Sequence, residues 1–194
     1  MSEPLHDHKK GQIESAKVVI KDVFSNFWFC IPAYQRSYVW GKDEISELID
    51  DVHYASEHSP VGQYFLGSMV LQKKYVQTKH RVSFELHDVL DGQQRLTTLL
   101  LMIAVIRDLA PDDEPGKKLR RLCGEMLFQE ESIWDNTPGR DRLVYEIRDH
   151  VAGFIDRFVK PYGGTRRTAE LEAEAKATNL SRANMAKGLC FIRD

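Results

Sequence analysis

The stretch Asp91-Gly92-Gln93-Gln94-Arg95 gathers a carboxylate, two amides and a guanidinium around one glycine, between an alternating apolar segment and a long apolar one. Read as a strand feeding a helix through one tight turn, it is an anion-binding geometry. Gly92 tolerates positive φ and close backbone approach, the first-turn N–H groups of the helix lack intrahelical acceptors, and the macrodipole adds partial positive charge. Phosphate suits such a turn. Gln93 and Gln94 then add neutral donors and Arg95 a fork for bidentate phosphate contact, while Asp91 could hold a hydrated Mg2+ ion or position an attacking water. The same residues also spell an ordinary helix start, with Asp91 as N-cap, Gln94 closing a capping box and Arg95 pairing a surface carboxylate. By itself, so short a pattern favours the helix start.

A second concentration is Ile31-Pro32-Ala33-Tyr34-Gln35-Arg36-Ser37-Tyr38-Val39-Trp40. Tyr34 and Tyr38 could stack on a base or wall a pocket, Gln35 could read a base edge, and Arg36 could hold a phosphate. The alternative is core packing, which is the preferred reading of Trp40. Between two expected strands, the link from Lys73 to Arg81 is rich in bases, so Lys73, Lys74, Lys79 and Arg81 are candidates for a DNA backbone; a solvated hairpin tip is the commoner meaning. His87, beside Asp88, is a candidate supporting or proton-transfer group near the turn. His6 and His8 offer two ligands on a polar tail, too few for a metal site.

Periodicity supplies the elements that must hold these groups. Residues 16–23 and 27–31 read as short buried elements, the second a strand stopped by Pro32. From Lys42, the recurrence of Ile45, Leu48, Ile49, Val52 and Ala55 predicts an amphipathic helix ending near Pro60. Residues 64–72 and 82–90 read as neighbouring strands, and Leu96 to Leu109 as a helix buried on most faces. Further helices are expected around residues 119–127 and 151–158, with a strand at 143–147 between them. Lys160-Pro161-Tyr162-Gly163-Gly164 is a break, after which one helix is expected from Thr168 onwards. With no stop signal before Asp194, that helix reads as the start of a longer region. The division is a flexible tail (1–15), a main domain (16–164) and the start of a helical region (165–194). The fold class is α+β: a small mixed sheet with packed helices, followed by a helical segment.

The 194 residues carry 27 Lys plus Arg against 29 Asp plus Glu, a formal net charge of -2. No bulk positive field favours nonspecific nucleic-acid binding, so any DNA contact must be local. Three dispersed cysteines, Cys30, Cys123 and Cys190, exclude a disulfide framework or zinc ribbon. No GxxxxGK[ST] phosphate loop or GxSxG elbow occurs. The N-terminus has no apolar signal segment and no apolar run reaches membrane-spanning length, so a cytoplasmic location without membrane contact is expected.

The 31–40 motif, the run Tyr64-Phe65-Leu66-Gly67-Ser68-Met69-Val70-Leu71 and Asp91-Gly92-Gln93-Gln94-Arg95-Leu96-Thr97-Thr98-Leu99 together resemble, in order and spacing, the GmrSD-type (DGQQR-motif) N-terminal domain of modification-dependent anti-phage restriction proteins. The resemblance covers residues 16–110 well and the helical remainder loosely. It implies a fold similar to ParB and sulfiredoxin. It also implies that Asp91, Gln93, Gln94 and Arg95 hydrolyse a nucleoside triphosphate, GTP being favoured, with Gly92, Arg36 and Thr97 binding it. A likeness to phosphorothioate-sensing (SspE-like) members makes Tyr34, Gln35, Arg36 and Tyr38 candidates for reading modified DNA. A C-terminal nuclease domain outside this chain is the implied partner, since no HNH pattern is visible. The competing expectations are a reader of modified DNA without catalysis and, more remotely, a ParB-like nuclease using the Asp91 and Arg95 cavity.

Overall fold

A computed structural model describes residues 14–58, 64–77, 83–132, 138–146 and 149–194. The fold is α+β, as expected. In chain order the elements are α1 (Ile20–Asn26), β1 (Phe29–Ile31), α2 (Lys42–His58), β2 (Val70–Gln77), β3 (Ser83–Asp91), α3 (Gln93–Leu109), α4 (Glu114–Leu127), β4 (Phe128–Gln129), β5 (Arg140–Asp141), β6 (Leu143–Tyr145), α5 (Asp149–Phe154) running into a π-helical turn (Ile155–Val159), α6 (Thr168–Glu174) and α7 (Leu180–Arg193). Four strands form one mixed sheet in the order β2-β3-β1-β6. The central β1 runs parallel to β3 (Cys30 opposite Asp88) and to β6 (Cys30 opposite Val144), and β2 is antiparallel to β3. All three residues of β1 are buried, as a strand flanked and covered on both sides requires.

The core runs from Phe24, Phe29 and Ile31 through Leu96, Leu100, Leu101 and Ala104 of α3 to Phe158, Met185 and Leu189. α3 is apolar on nearly every side and is buried accordingly. Its two buried charges are fully used. Asp108 accepts from Arg107 Nε (2.8 Å), Gly163 N (3.0 Å), Thr165 N (3.0 Å) and Thr165 Oγ1 (2.8 Å). Arg107 donates through Nη1 and Nη2 to Lys160 O and Pro161 O, each at 2.7 Å. The expected break after Lys160 is therefore stapled to the core helix. No helix among the described residues is long and apolar enough to cross a membrane.

Two expected elements differ most in extent. The first strand of the β2-β3 hairpin covers Val70–Gln77 rather than 64–72, because Gly67 takes φ 118° and diverts the segment before it from the ladder. Lys73 and Lys74 consequently lie within β2, where they pair with Glu85 (3.1 Å) and Asp88 (2.6 Å), and not on a basic hairpin tip. The expected last helix is two helices, since the Asn179 side chain accepts from Arg182 N at 3.1 Å and caps α7.

Candidate functional site

β1, β3 and β6 point their carboxyl ends the same way. That is the edge at which parallel sheets hold ligands, and both motif segments emerge there. Gly92 connects β3 to α3 with φ 91° and ψ 6°, the left-handed region in which a Cβ is strained. It is itself the N-cap, without a side-chain cap bond. The helix-start reading with Asp91 as N-cap is therefore not what this turn adopts, and Asp91 remains exposed at the end of β3. The first-turn N–H groups of α3 have no acceptor within the helix and lie at this edge.

The Leu66-Gly67-Ser68-Met69 segment closes on the same turn. A Cβ on Gly92 would lie 2.7 Å from Met69 Cγ, and one on Gly67 would overlap the Arg95 guanidinium carbon at 2.6 Å. Two positive-φ glycines from separate motifs thus let the chain pass closely enough to seat Arg95 beside the turn. Arg95 is half-buried and Arg36 exposed; neither guanidinium has an ion-pair partner among the described residues.

Gln93 and Gln94 are buried, and their amides address the Pro32–Trp40 loop. Gln93 Nε2 donates to Arg36 O at 3.2 Å. Gln94 Nε2 donates to Ser37 O at 3.0 Å, while its Oε1 accepts from Val39 N (2.8 Å) and Trp40 N (3.3 Å). Gln35 Nε2 donates to Leu90 O at 2.9 Å, tying the loop to the last turn of β3. Glu146 Oε2 accepts from Ala33 N at 3.1 Å. Held by these bonds, the loop leaves Tyr34 71% exposed.

The site residues separate accordingly. Asp91, Gly92, Arg95, Tyr34, Gln35 and Arg36 share one edge of the sheet. Tyr38 does not join them: it is a core residue whose hydroxyl meets Thr98 Oγ1 at 2.8 Å. Burial pushes its phenol up to about 12, and it has no face for a base. Its N–H donates to Ser181 Oγ (3.0 Å) and its carbonyl accepts from Asn184 Nδ2 (3.1 Å). Thr97 is buried against Tyr145, oxygen to oxygen 2.7 Å, beneath the turn and out of a ligand's reach. His87 is buried against the Phe27 and Phe29 rings with Nε2 3.1 Å from Glu85, midway along β3 and away from Asp91. Lys79 and Arg81 lie outside the described residues, as do His6 and His8. Burial raises the Cys30 thiol to about 11, consistent with a reduced core residue.

Glu146, Ser181 and Asn184 position the loop from 113 or more residues away, and no local pattern marked them. Among the described residues no three His, Cys, Asp or Glu side chains converge as a metal site. Asp91 is a single exposed carboxylate at this edge, one oxygen ligand, so a magnesium ion here would need its other ligands from phosphate oxygens and water.

A comparison with curated proteins gives no match. The family model described as GmrSD restriction endonuclease, N-terminal domain, matches residues 19–193, from the residue before α1 to the last residue of α7. With one match running unbroken over the sheet, both motif segments and the helices that brace them, the chain belongs to the GmrSD restriction endonuclease N-terminal domain family.

Proposed function

We propose that this domain hydrolyses a nucleoside triphosphate, GTP by preference, and couples that turnover to recognition of modified DNA in a bacterial anti-phage restriction protein whose nuclease lies outside this chain. The observation that carries the reading is the Gly92 turn. A left-handed glycine at the carboxyl end of a parallel strand starts a 17-residue helix, with the exposed Asp91 before it and the half-buried Arg95 in its first turn.

The first-turn N–H groups of α3 cradle the phosphates. Water held by Asp91 attacks the γ-phosphorus. The bond to the β–γ bridging oxygen breaks, its electron pair leaves with the diphosphate, and the water's protons end on the products or in solvent. Arg95, with Arg36 reaching from the loop, stabilises the charge that builds on the transferred oxygens. A bound magnesium ion would draw charge from the β- and γ-oxygens, and Asp91 is the residue that would hold it. Gln93 and Gln94, expected to orient phosphate or water, act here as positioning residues. Their backbone sits at the phosphate turn while their amides carry the Tyr34-Gln35-Arg36 loop, so occupancy at one is felt at the other.

The test is phosphate release from GTP, ATP and CTP with magnesium by the chain and by Asp91→Ala, with and without unmodified and phosphorothioated DNA. GTP turnover that responds to the modified DNA and is lost in Asp91→Ala is the expected result. Equal release by both proteins would remove Asp91 from the chemistry. A second reading, a modified-DNA reader without catalysis, is favoured by the exposed Tyr34 next to Arg36, and binding with no turnover by any nucleotide would select it.

A further inference from the structure

The amino ends of the parallel strands carry a second group of positive charges. Trp28 immediately precedes β1, Arg142 immediately precedes β6, and Phe84 lies at the start of β3. Phe29 N donates to Arg142 O at 2.8 Å, which holds the two strand entrances together. The Arg140 guanidinium lies 4.5 Å from the Trp28 ring centroid and 3.8 Å from that of Phe84. The Arg142 guanidinium lies 4.7 Å from the same Trp28 centroid. Arg142 is 7% exposed, whereas Arg140 is half-buried and gives the group its approach from solvent.

Among the described residues, four donors of this cluster are buried without a partner: Trp28 Nε1, Arg140 Nε, Arg140 Nη1 and Arg142 Nη1. Arg142 Nε donates to Glu125 O at 3.4 Å. No carboxylate pairs with either guanidinium among the described residues. Burial disfavours the charge of both arginines, and at Arg142 the neighbouring Arg140 adds repulsion. An unpaired buried charge and an orphaned buried donor are each costly. The cluster has both, every free group is a donor, and the complement it lacks is an anion with several acceptor oxygens.

We propose that Arg140, Arg142 and the Trp28 indole N–H form a second oxyanion site, taking a phosphate group at the amino end of the parallel strands. A phosphate offers oxygens enough for two guanidinium forks and an indole N–H. Base stacking suits the cluster less well, because guanidinia already occupy ring faces of Trp28 and Phe84. The site is separate from the Gly92 turn. Phe84 and Asp91 stand at opposite ends of β3, seven residues apart, or about 23 Å at a strand rise of about 3.3 Å per residue, beyond the span of one triphosphate. The inference does not depend on hydrolysis at Asp91. The phosphate belongs either to a nucleic-acid backbone or to a free small ligand.

Indole and guanidinium N–H signals of the whole chain, followed by 1H–15N spectroscopy at constant ionic strength, test this directly. The titrants are inorganic phosphate, pyrophosphate and an unmodified DNA duplex, with chloride as the comparator, and the Trp28 indole signal is assigned from its absence in Trp28→Phe. The expected result is a saturable shift of that signal with a phosphate-bearing titrant and not with chloride, retained in Asp91→Ala and lost in Arg140→Met and Arg142→Met. A response to the duplex alone assigns the backbone as the source, and a response to free phosphate or pyrophosphate assigns a small ligand. Thermal unfolding gives an independent readout. A ligand that binds the folded state raises the unfolding temperature, so phosphate should raise it more in the parent chain than in either arginine variant, while in chloride the Arg140→Met variant should unfold no earlier than the parent. No saturable shift at Trp28 with any titrant would overturn the proposal. So would a shift that survives in both arginine variants, which would place the anion elsewhere.

Discussion

Gly92 and Gly67 are the residues on which the turn depends. At Gly92 an alanine meets both a left-handed backbone and Met69; at Gly67 it meets φ 118° and the Arg95 guanidinium. Such strain costs on the order of 1–3 kcal/mol per position. Gly67→Ala should lower the stability by that order and reduce phosphate release by displacing Arg95, although Gly67 carries no chemistry of its own. Urea unfolding together with the release assay checks this, and a fully active Gly67→Ala would mean that the position of Arg95 is not critical. Asp91→Ala should behave in the opposite way. Asp91 is exposed and does not cap α3, so the unfolding free energy should change by less than about 0.5 kcal/mol while turnover disappears. The turn glycine was readable from the sequence because only a short list of geometries needs a glycine between a strand and a buried helix. The direction of the two glutamine amides was not readable, since it depends on carbonyls more than fifty residues earlier in the chain.

At the scale of elements, α3 both ends the phosphate turn and carries the 37–40 loop. Gln94 satisfies three backbone groups of that loop from one side chain, and a buried unsatisfied group costs about 1–3 kcal/mol. Gln94→Ala should therefore loosen the loop. The expected result is faster amide exchange at Val39 and Trp40 with α3 itself intact, and a weakened response of turnover to DNA. Exchange unchanged from the parent would show that the loop is held by α7 instead, through Ser181 and Asn184 to the Tyr38 backbone. Among the elements, α3, α4 and β3 were legible from strong periodicity and clear stops. The start of β2 and the break before α7 were not. One depends on a glycine diverted by a tertiary contact, the other on an asparagine whose cap competes with otherwise favourable helix propensity.

For the whole molecule, the staple between α3 and the loop after Lys160 is a buried charged network that joins residues more than fifty positions apart. Burial by itself would raise the Asp108 carboxyl, and the hydrogen bonds from Arg107, Gly163 and Thr165 outweigh it, holding it below the ordinary value of 3.8. A carboxyl lowered in the folded state contributes stability that is complete above its unfolded value and is lost as pH falls through the folded one. The stability gap between the parent and Asp108→Asn should thus be widest near neutral pH and shrink below the ordinary value of 3.8. Removing one partner of a buried charged network costs about 3–5 kcal/mol, the loss expected for Asp108→Ala in urea at neutral pH. A gap independent of pH would exclude a buried, charged Asp108. The α+β class, the buried core helix and the Asp91–Arg95 turn follow from hydrophobic period, turn chemistry and motif spacing, all local properties that a chain carries before it folds. Tertiary structure alone decided that Tyr38 and Thr97 are core, that Lys73 and Lys74 are paired across the hairpin, and that Arg140 and Arg142 meet on Trp28. Each of these depends on which distant residue supplies the partner, and hydrogen bonds, ion pairs and burial are set by proximity in space rather than along the chain.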